Sequence, residues 1–129
     1  MAPRAVAPGA RVGRPSRENR VRKRAEFLSI QADGVRVNGD RLVFVLKRRE
    51  PGQPVRLGIT ASRKIGGAVQ RSRARRLIRA AFRAVFAELP AAMDLVVIVR
   101  RPLGESKLAD VLGELRRALP RIRRAAEPA

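Results

Sequence analysis

From Ser62 to Arg83 the chain carries Arg63, Lys64, Arg71, Arg73, Arg75, Arg76, Arg79 and Arg83 and not one acidic residue. Ile78, Ala81, Phe82, Val85 and Leu89 recur at three- and four-residue steps, which predicts a helix from Ala68 onward with one face on a core. Arg75, Arg79 and Arg83 form an i,i+4 row beside that stripe, and Arg76 falls in the same sector. Like charges at this spacing repel, and the row weakens the isolated helix by roughly 1 kcal/mol. The fold therefore has to supply an apolar surface for the stripe, and the row calls for an anionic partner. An ordinary solvated face mixes both signs, so the missing acids count against that plainer reading.

At helical rise Arg71 to Arg83 covers about 18 Å, enough to follow several phosphates of a nucleic-acid strand. A guanidinium grips phosphate oxygens two at a time. Just before the helix, Gly66 and Gly67 let a ligand approach the backbone, and the first N–H groups of the helix add an anion site. Gly66 and Gly67 are thus a candidate phosphate-binding turn, next to the candidate row Arg71, Ser72, Arg73, Arg75, Arg76 and Arg79.

The 129 residues suit one domain with a modest core, and 30 Lys plus Arg against 11 Asp plus Glu give a formal net charge of +19. That balance favours a polyanion, nucleic acid ahead of an acidic membrane. With no Cys, neither a disulfide framework nor a zinc finger can form. With no His, Cys or Tyr, the usual acid-base and nucleophilic side chains are missing. Asp33, Asp40, Asp94 and Asp110 lack the close paired spacing of a two-metal site, so no metal site on the protein is expected. A self-sufficient enzyme is not expected. No run is apolar and long enough to span a membrane and no N-terminal segment resembles a secretory signal, so we expect a cytoplasmic protein without a membrane partner. No obligate protein partner is predicted.

In chain order, residues 1–15 read as a disordered basic tail of Ala, Pro, Gly and Arg. Ser16 is a candidate cap for a first helix to about Gln31, with Val21, Ala25 and Leu28 as its buried stripe. Phe27 and Ile30 project away from that line, so Phe27 needs a second environment. A gap in a neighbouring core and an unpaired base stacked among Arg20, Arg22, Lys23 and Arg24 both answer that need. Val35–Val37, the pair Asn38-Gly39 and Leu42–Leu46 read as a hairpin on a type I′ turn. Arg56 to Ser62 is a third strand, apolar on one face at Leu57, Ile59 and Ala61. Its other face, Arg56, Gly58, Thr60 and Ser62, suits either plain solvation or a single strand lying close. Leu95–Val99 reads as an interior strand. Ser106 is expected to cap a last helix carrying Leu108, Val111, Leu112, Leu115 and Leu119 and ending at Pro120. The fold class is α+β, a single domain over residues 16–122 in the order α-β-β-β-α-β-α, with a four-stranded sheet packed with helices and a tail over residues 123–129.

The run Arg56-Leu57-Gly58-Ile59-Thr60-Ala61-Ser62-Arg63-Lys64-Ile65-Gly66-Gly67-Ala68-Val69, continuing through Arg71-Ser72-Arg73-Ala74-Arg75-Arg76-Leu77-Ile78-Arg79, resembles the protein component of bacterial ribonuclease P. Arg20 to Phe27 and the strand from Asp94 to Arg100 extend the resemblance to roughly Asn19–Leu119. Ser72 stands where the family has Asn, which removes the amide's reach. Gln31 stands where some members place another aromatic residue.

The resemblance implies a mixed sheet with a left-handed crossover through the central helix. It implies a ribonucleoprotein that removes the 5′ leader from precursor tRNA, with magnesium-dependent hydrolysis carried by the RNA subunit. Arg71, Ser72, Arg73, Arg75, Arg76 and Arg79 would then hold the ribonuclease P RNA. Arg24, Phe27, Arg56, Thr60, Ser62 and Lys64 would line a cleft for the leader. The residues alone also admit a structural RNA-binding protein, such as a ribosomal component, or a DNA-binding helix module.

Overall fold

The computed structural model describes residues 15–127, so the tail expected over residues 1–15 lies outside the described residues except for Pro15. Among the described residues there are three α-helices, α1 (Arg24–Asp33), α2 (Ala68–Ala84) and α3 (Leu108–Ala126). Four strands accompany them, β1 (Val35–Asn38), β2 (Leu42–Arg48), β3 (Arg56–Thr60) and β4 (Met93–Val99). The sheet runs β1-β2-β4-β3, antiparallel except for the parallel pair β3 and β4 joined through α2. The expected element order and the interior position of the Leu95–Val99 run are both found.

Alternation along each strand divides the core between the two faces. Leu42, Phe44, Leu46, Leu57, Ile59, Leu95 and Val97 are buried on the face that carries α2 and α3. Ala74, Ile78, Ala81 and Phe82 of α2 complete this layer with Val111, Leu115, Ala118, Leu119 and Ile122 of α3. On the opposite face Val43, Val45 and Val96 form a smaller cluster with Val21 and Ile30, and Phe27 and Ile98 pack against it partly buried.

Four local expectations are corrected. Residues 17–19 form a separate short turn, and α1 starts only at Arg24. Between them the chain is extended, with the Val21 N–H donating to the Leu57 carbonyl of the edge strand at 2.9 Å. The phase of α1 therefore counts from Arg24, which buries Ile30 and half-buries Phe27 while Ala25 is exposed and Leu28 is 54% exposed.

The hairpin does not turn on Asn38-Gly39. Asn38 pairs with Val43, and the Gly39 N–H bonds to the Leu42 carbonyl at 2.8 Å. Neither Asn38 nor Gly39 has the positive φ that a type I′ turn requires. The buried carboxylate of Glu114 on α3 takes the Leu42 N–H at 2.7 Å and the Arg41 N–H at 3.2 Å. A tertiary acceptor thus holds the turn one step further along.

Pro120 does not end the last helix. Its ring lies on the exposed side while Ile122, fully buried, extends the apolar stripe, so burial outweighs one lost backbone bond. Residues 123–126, expected in a tail, are helical, and Arg123 donates to the Glu88 carbonyl at 3.1 Å. Ser106 is not the cap. It lies buried one residue before Lys107, whose backbone N–H donates to the Asp110 carboxylate at 2.7 Å.

Replacing Glu114 with Ala strands the buried Leu42 amide and the half-buried Arg41 amide and is expected to lower the unfolding free energy by about 3 kcal/mol. Glu114→Gln, which keeps one acceptor, should lose less. A urea titration checks both, and an Ala variant with the parent midpoint would remove Glu114 from this role.

Candidate nucleic-acid interface

The polar residues of the α1-side face are placed by strand register. Lys47 on β2, Asp94 on β4 and Arg56 on β3 lie opposite one another in one row across the sheet. Arg56 donates Nε and Nη2 to the two oxygens of Asp94 at 2.7 and 2.9 Å, and Nη1 to Glu26 of α1 at 2.9 Å. Lys47 donates to Ser29 at 2.8 Å and pairs with Asp33 at 3.4 Å, both also on α1. The row therefore clamps α1 to the sheet. The hydrogen bonds that Arg56 donates to Asp94 and then to Glu26 hold its guanidinium above its usual value despite partial burial. The Arg56 bond is the main cause that lowers the Glu26 carboxyl below its ordinary value.

The remaining predicted leader-side residues are distributed along the same face and its margin. The Phe27 ring lies directly over Gly58, where an added Cβ would sit 2.6 Å from the ring. Phe27 thus has both environments at once, a packed inner edge and an accessible outer one. Thr60 accepts a bond from Gln31 at 3.4 Å. Ser62 is exposed past the end of β3, and its hydroxyl accepts the Lys64 N–H at 3.3 Å, capping the turn Arg63–Ile65. Arg24 and Lys64 are exposed.

Gly66 has φ of 135°, a region that favours glycine, and leads into Gly67, the residue capping α2. Gly67 offers no side-chain acceptor to the first N–H groups of α2, and no atom stands within 4 Å of where its Cβ would be. The helix start is thus open to a ligand. Val69 beside it is 81% exposed.

The arginines of α2 are not equivalent. Arg73 donates to the carbonyls of Gly104 and Ser106, tying α2 to the loop before α3. Arg75 donates to the Ile59 carbonyl at 3.2 Å, on the edge strand. Arg76, Arg79, Arg83 and Ser72 are exposed and Arg71 is half-buried. Among the described residues no carboxylate pairs with any arginine of α2. Burial, followed by the nearby charges of Arg20 and Arg75, lowers the Arg79 guanidinium below its ordinary value.

Sequence reasoning placed Arg83 in the α2 row but missed Arg20 as a partner of this group. Both meet Arg75 and Arg79 at a cavity of about 180 Å³ between the N-terminal segment and α2. The Arg20–Leu57 bridge, with the Asn19–Val55 and Val21–Leu57 hydrogen bonds, docks the N-terminal segment on the edge strand beside α2, and no periodicity signals this tertiary pairing.

The family model described as Ribonuclease P matches residues 16–123. This chain belongs to the ribonuclease P protein family. The ribonuclease P protein component of Desulfovibrio desulfuricans is 42% identical over 113 residues, covering 85% of each chain. That of Gluconacetobacter diazotrophicus is 40% identical over 104 residues, covering 80% of this chain and 90% of its own. The RNase P protein from Thermotoga maritima superposes with a TM-score of 0.72 at 31% identity, covering 80% of this chain and 96% of that one. The Staphylococcus aureus RNase P protein gives 0.71 at 28% identity, covering 84% and 98%. The chain is therefore the protein subunit of an endoribonuclease that acts in 5′ processing of tRNA, and its partner is an RNA subunit. The ribosomal alternative is not favoured.

Because the Glu26 carboxyl is lowered in the folded state, its stabilising contribution is present above about pH 4.5 and is lost as pH falls through the folded value. With Glu26 about one third exposed, the pair is worth only about 0.5 kcal/mol. Glu26→Gln should cost that amount at neutral pH and less at pH 3. Parallel denaturation curves at the two pH values measure it, and an equal loss at both would deny Glu26 this part.

Proposed function

We propose that the chain joins the RNA subunit through the exposed side of α2 and the open turn at Gly66-Gly67. The single-stranded leader of precursor tRNA lies across the face between α1 and the sheet. The observation that carries this reading is the separation of charge. Asp33, Asp40, Asp94, Glu26 and Glu88 pair with Lys47, Arg49, Arg56, Arg101, Arg116 and Arg123, and Glu114 and Asp110 accept backbone amides, while the α2 row is left without counter-charge among the described residues.

In this reading Arg71, Ser72, Arg76 and Arg79 meet the RNA subunit directly. Arg73 and Arg75 present their remaining N–H groups while holding α2 to its neighbours. Carbonyl partners are neutral, so neither arginine meets a counter-charge there. Arg24, Phe27, Thr60, Ser62 and Lys64 contact the leader, and Arg56 contributes by fixing α1 at its height above the sheet.

The protein's role is electrostatic and geometric. It brings two repelling RNAs together and releases their counterions. No three carboxylates of the described residues gather as a metal site, and the magnesium needed for hydrolysis is assigned to the RNA subunit. Among the described residues no helix is long and apolar enough to cross a membrane, and the reading places the assembly in the cytoplasm.

The test is single-turnover cleavage of a precursor tRNA by the matching RNA subunit at low magnesium, with and without the chain. A large protein-dependent gain is expected. A folded protein that gives none, yet binds ribosomal RNA tightly, would replace this reading with a structural RNA-binding role. Arg79→Ala is expected to reduce the salt slope of RNA-subunit binding by about one unit without unfolding the domain. An unchanged slope in the titration would take Arg79 out of the interface.

A further inference from the structure

The cavity between the N-terminal segment and α2 combines two surfaces that seldom meet. Leu57, Ile59 and Phe82 line it and are buried, forming an apolar floor at the sheet edge. Arg20, Arg79 and Arg83 are exposed lining residues with no carboxylate partner among the described residues. The outer wall is fixed in place, because Asn19 donates to the Val55 carbonyl at 2.7 Å and Val21 to the Leu57 carbonyl at 2.9 Å.

Its 180 Å³ equals about six waters at liquid density and falls short of the roughly 300 Å³ of a drug-sized site. That suits one planar ring system. An apolar floor has no use for an inorganic anion, and a cluster of guanidiniums has none for an apolar ligand. A nucleotide satisfies both, with a flat apolar face on its base and an anion on its sugar.

We propose that this cavity takes one unstacked nucleotide of the RNA subunit, its base against Phe82 and Ile59 and its phosphate between Arg20 and Arg79. The assignment to the RNA subunit rests on the reading of α2 as its docking face, since Arg79 and Arg83 continue that row. The N-terminal segment then belongs to the same interface through Arg20, although it is distant from α2 in sequence.

The chain has no Trp or Tyr, so the fluorescence of 2-aminopurine riboside 5′-monophosphate can be read against the full chain without background. Saturable binding is expected. The double change Arg20→Gln with Arg83→Gln should weaken it about tenfold, whereas Arg76→Gln, on α2 but outside the cavity lining, should change it less than about twofold. Absence of saturation, or equal losses in the two variants, would overturn the site. So would competition by inorganic phosphate as strong as that by adenosine monophosphate, since the base would then contribute nothing.

Arg83→Gln alone, with the parent melting temperature as a check on folding, should show a smaller loss in the same direction. Saturating RNA subunit should displace the probe. Displacement only after precursor tRNA is added would move the occupant to the leader and overturn the assignment to the RNA subunit. Retention of the probe in the full assembly would overturn occupation by RNA altogether. None of these readouts needs cleavage, so a chain that fails them while still stimulating cleavage at low magnesium loses the cavity and keeps the proposed function.

Discussion

α2 carries a row of like charges and remains folded because its other side is buried. Ala74, Ile78, Ala81 and Phe82 are each at most a few per cent exposed, against the sheet and α3. Burying an Ile or Phe side chain stabilises by about 1.5–3 kcal/mol, against roughly 1 kcal/mol of repulsion along the row. Apolar anchoring therefore outweighs the repulsion, and the charge can be displayed without a counter-ion. Arg73 and Arg75 strengthen the anchoring by donating to backbone carbonyls of the α3 loop and the edge strand.

Separation of the acids from α2 is the second half of the same arrangement. Asp94 is buried near the start of the interior strand β4 and holds Arg56, which in turn holds Glu26 and with it α1. Glu114 holds the β1–β2 turn, and Glu88 joins Arg116 and Arg123 of α3. These carboxylates thus act as internal fasteners on the sheet, the turn and the last helix. The uncompensated row on α2, together with Arg20 of the N-terminal segment, is left where a polyanion can approach.

The departures from the sequence reading share a cause. A candidate cap at Ser16 suggests one long helix, but the Asn19–Val21 segment has an alternative, the unpaired edge of β3. That pairing shifts the phase of α1 and exchanges Leu28 for Ile30 in the core. Asn38-Gly39 has the local chemistry of a tight turn, yet the Glu114 carboxylate stabilises a different one. Pro120 is a helix breaker by local rule, and Ile122 beyond it keeps the helix going because its burial needs the next turn. In each case a contact from far along the chain outweighs a local preference of about 1–3 kcal/mol.

Residue order alone determined the element order, the apolar stripes of α2 and α3, the interior strand, the excess of positive charge and the family signature. These follow from periodicity and composition, which are local properties. Tertiary structure decided which arginines are tied down and which are displayed, that Arg56 is a clamp, and that Phe27 lies on Gly58. It also decided that Arg20 joins the α2 row across a cavity. Those outcomes depend on strand register and on the docking of an extended segment against a sheet edge, where residues distant in sequence become neighbours.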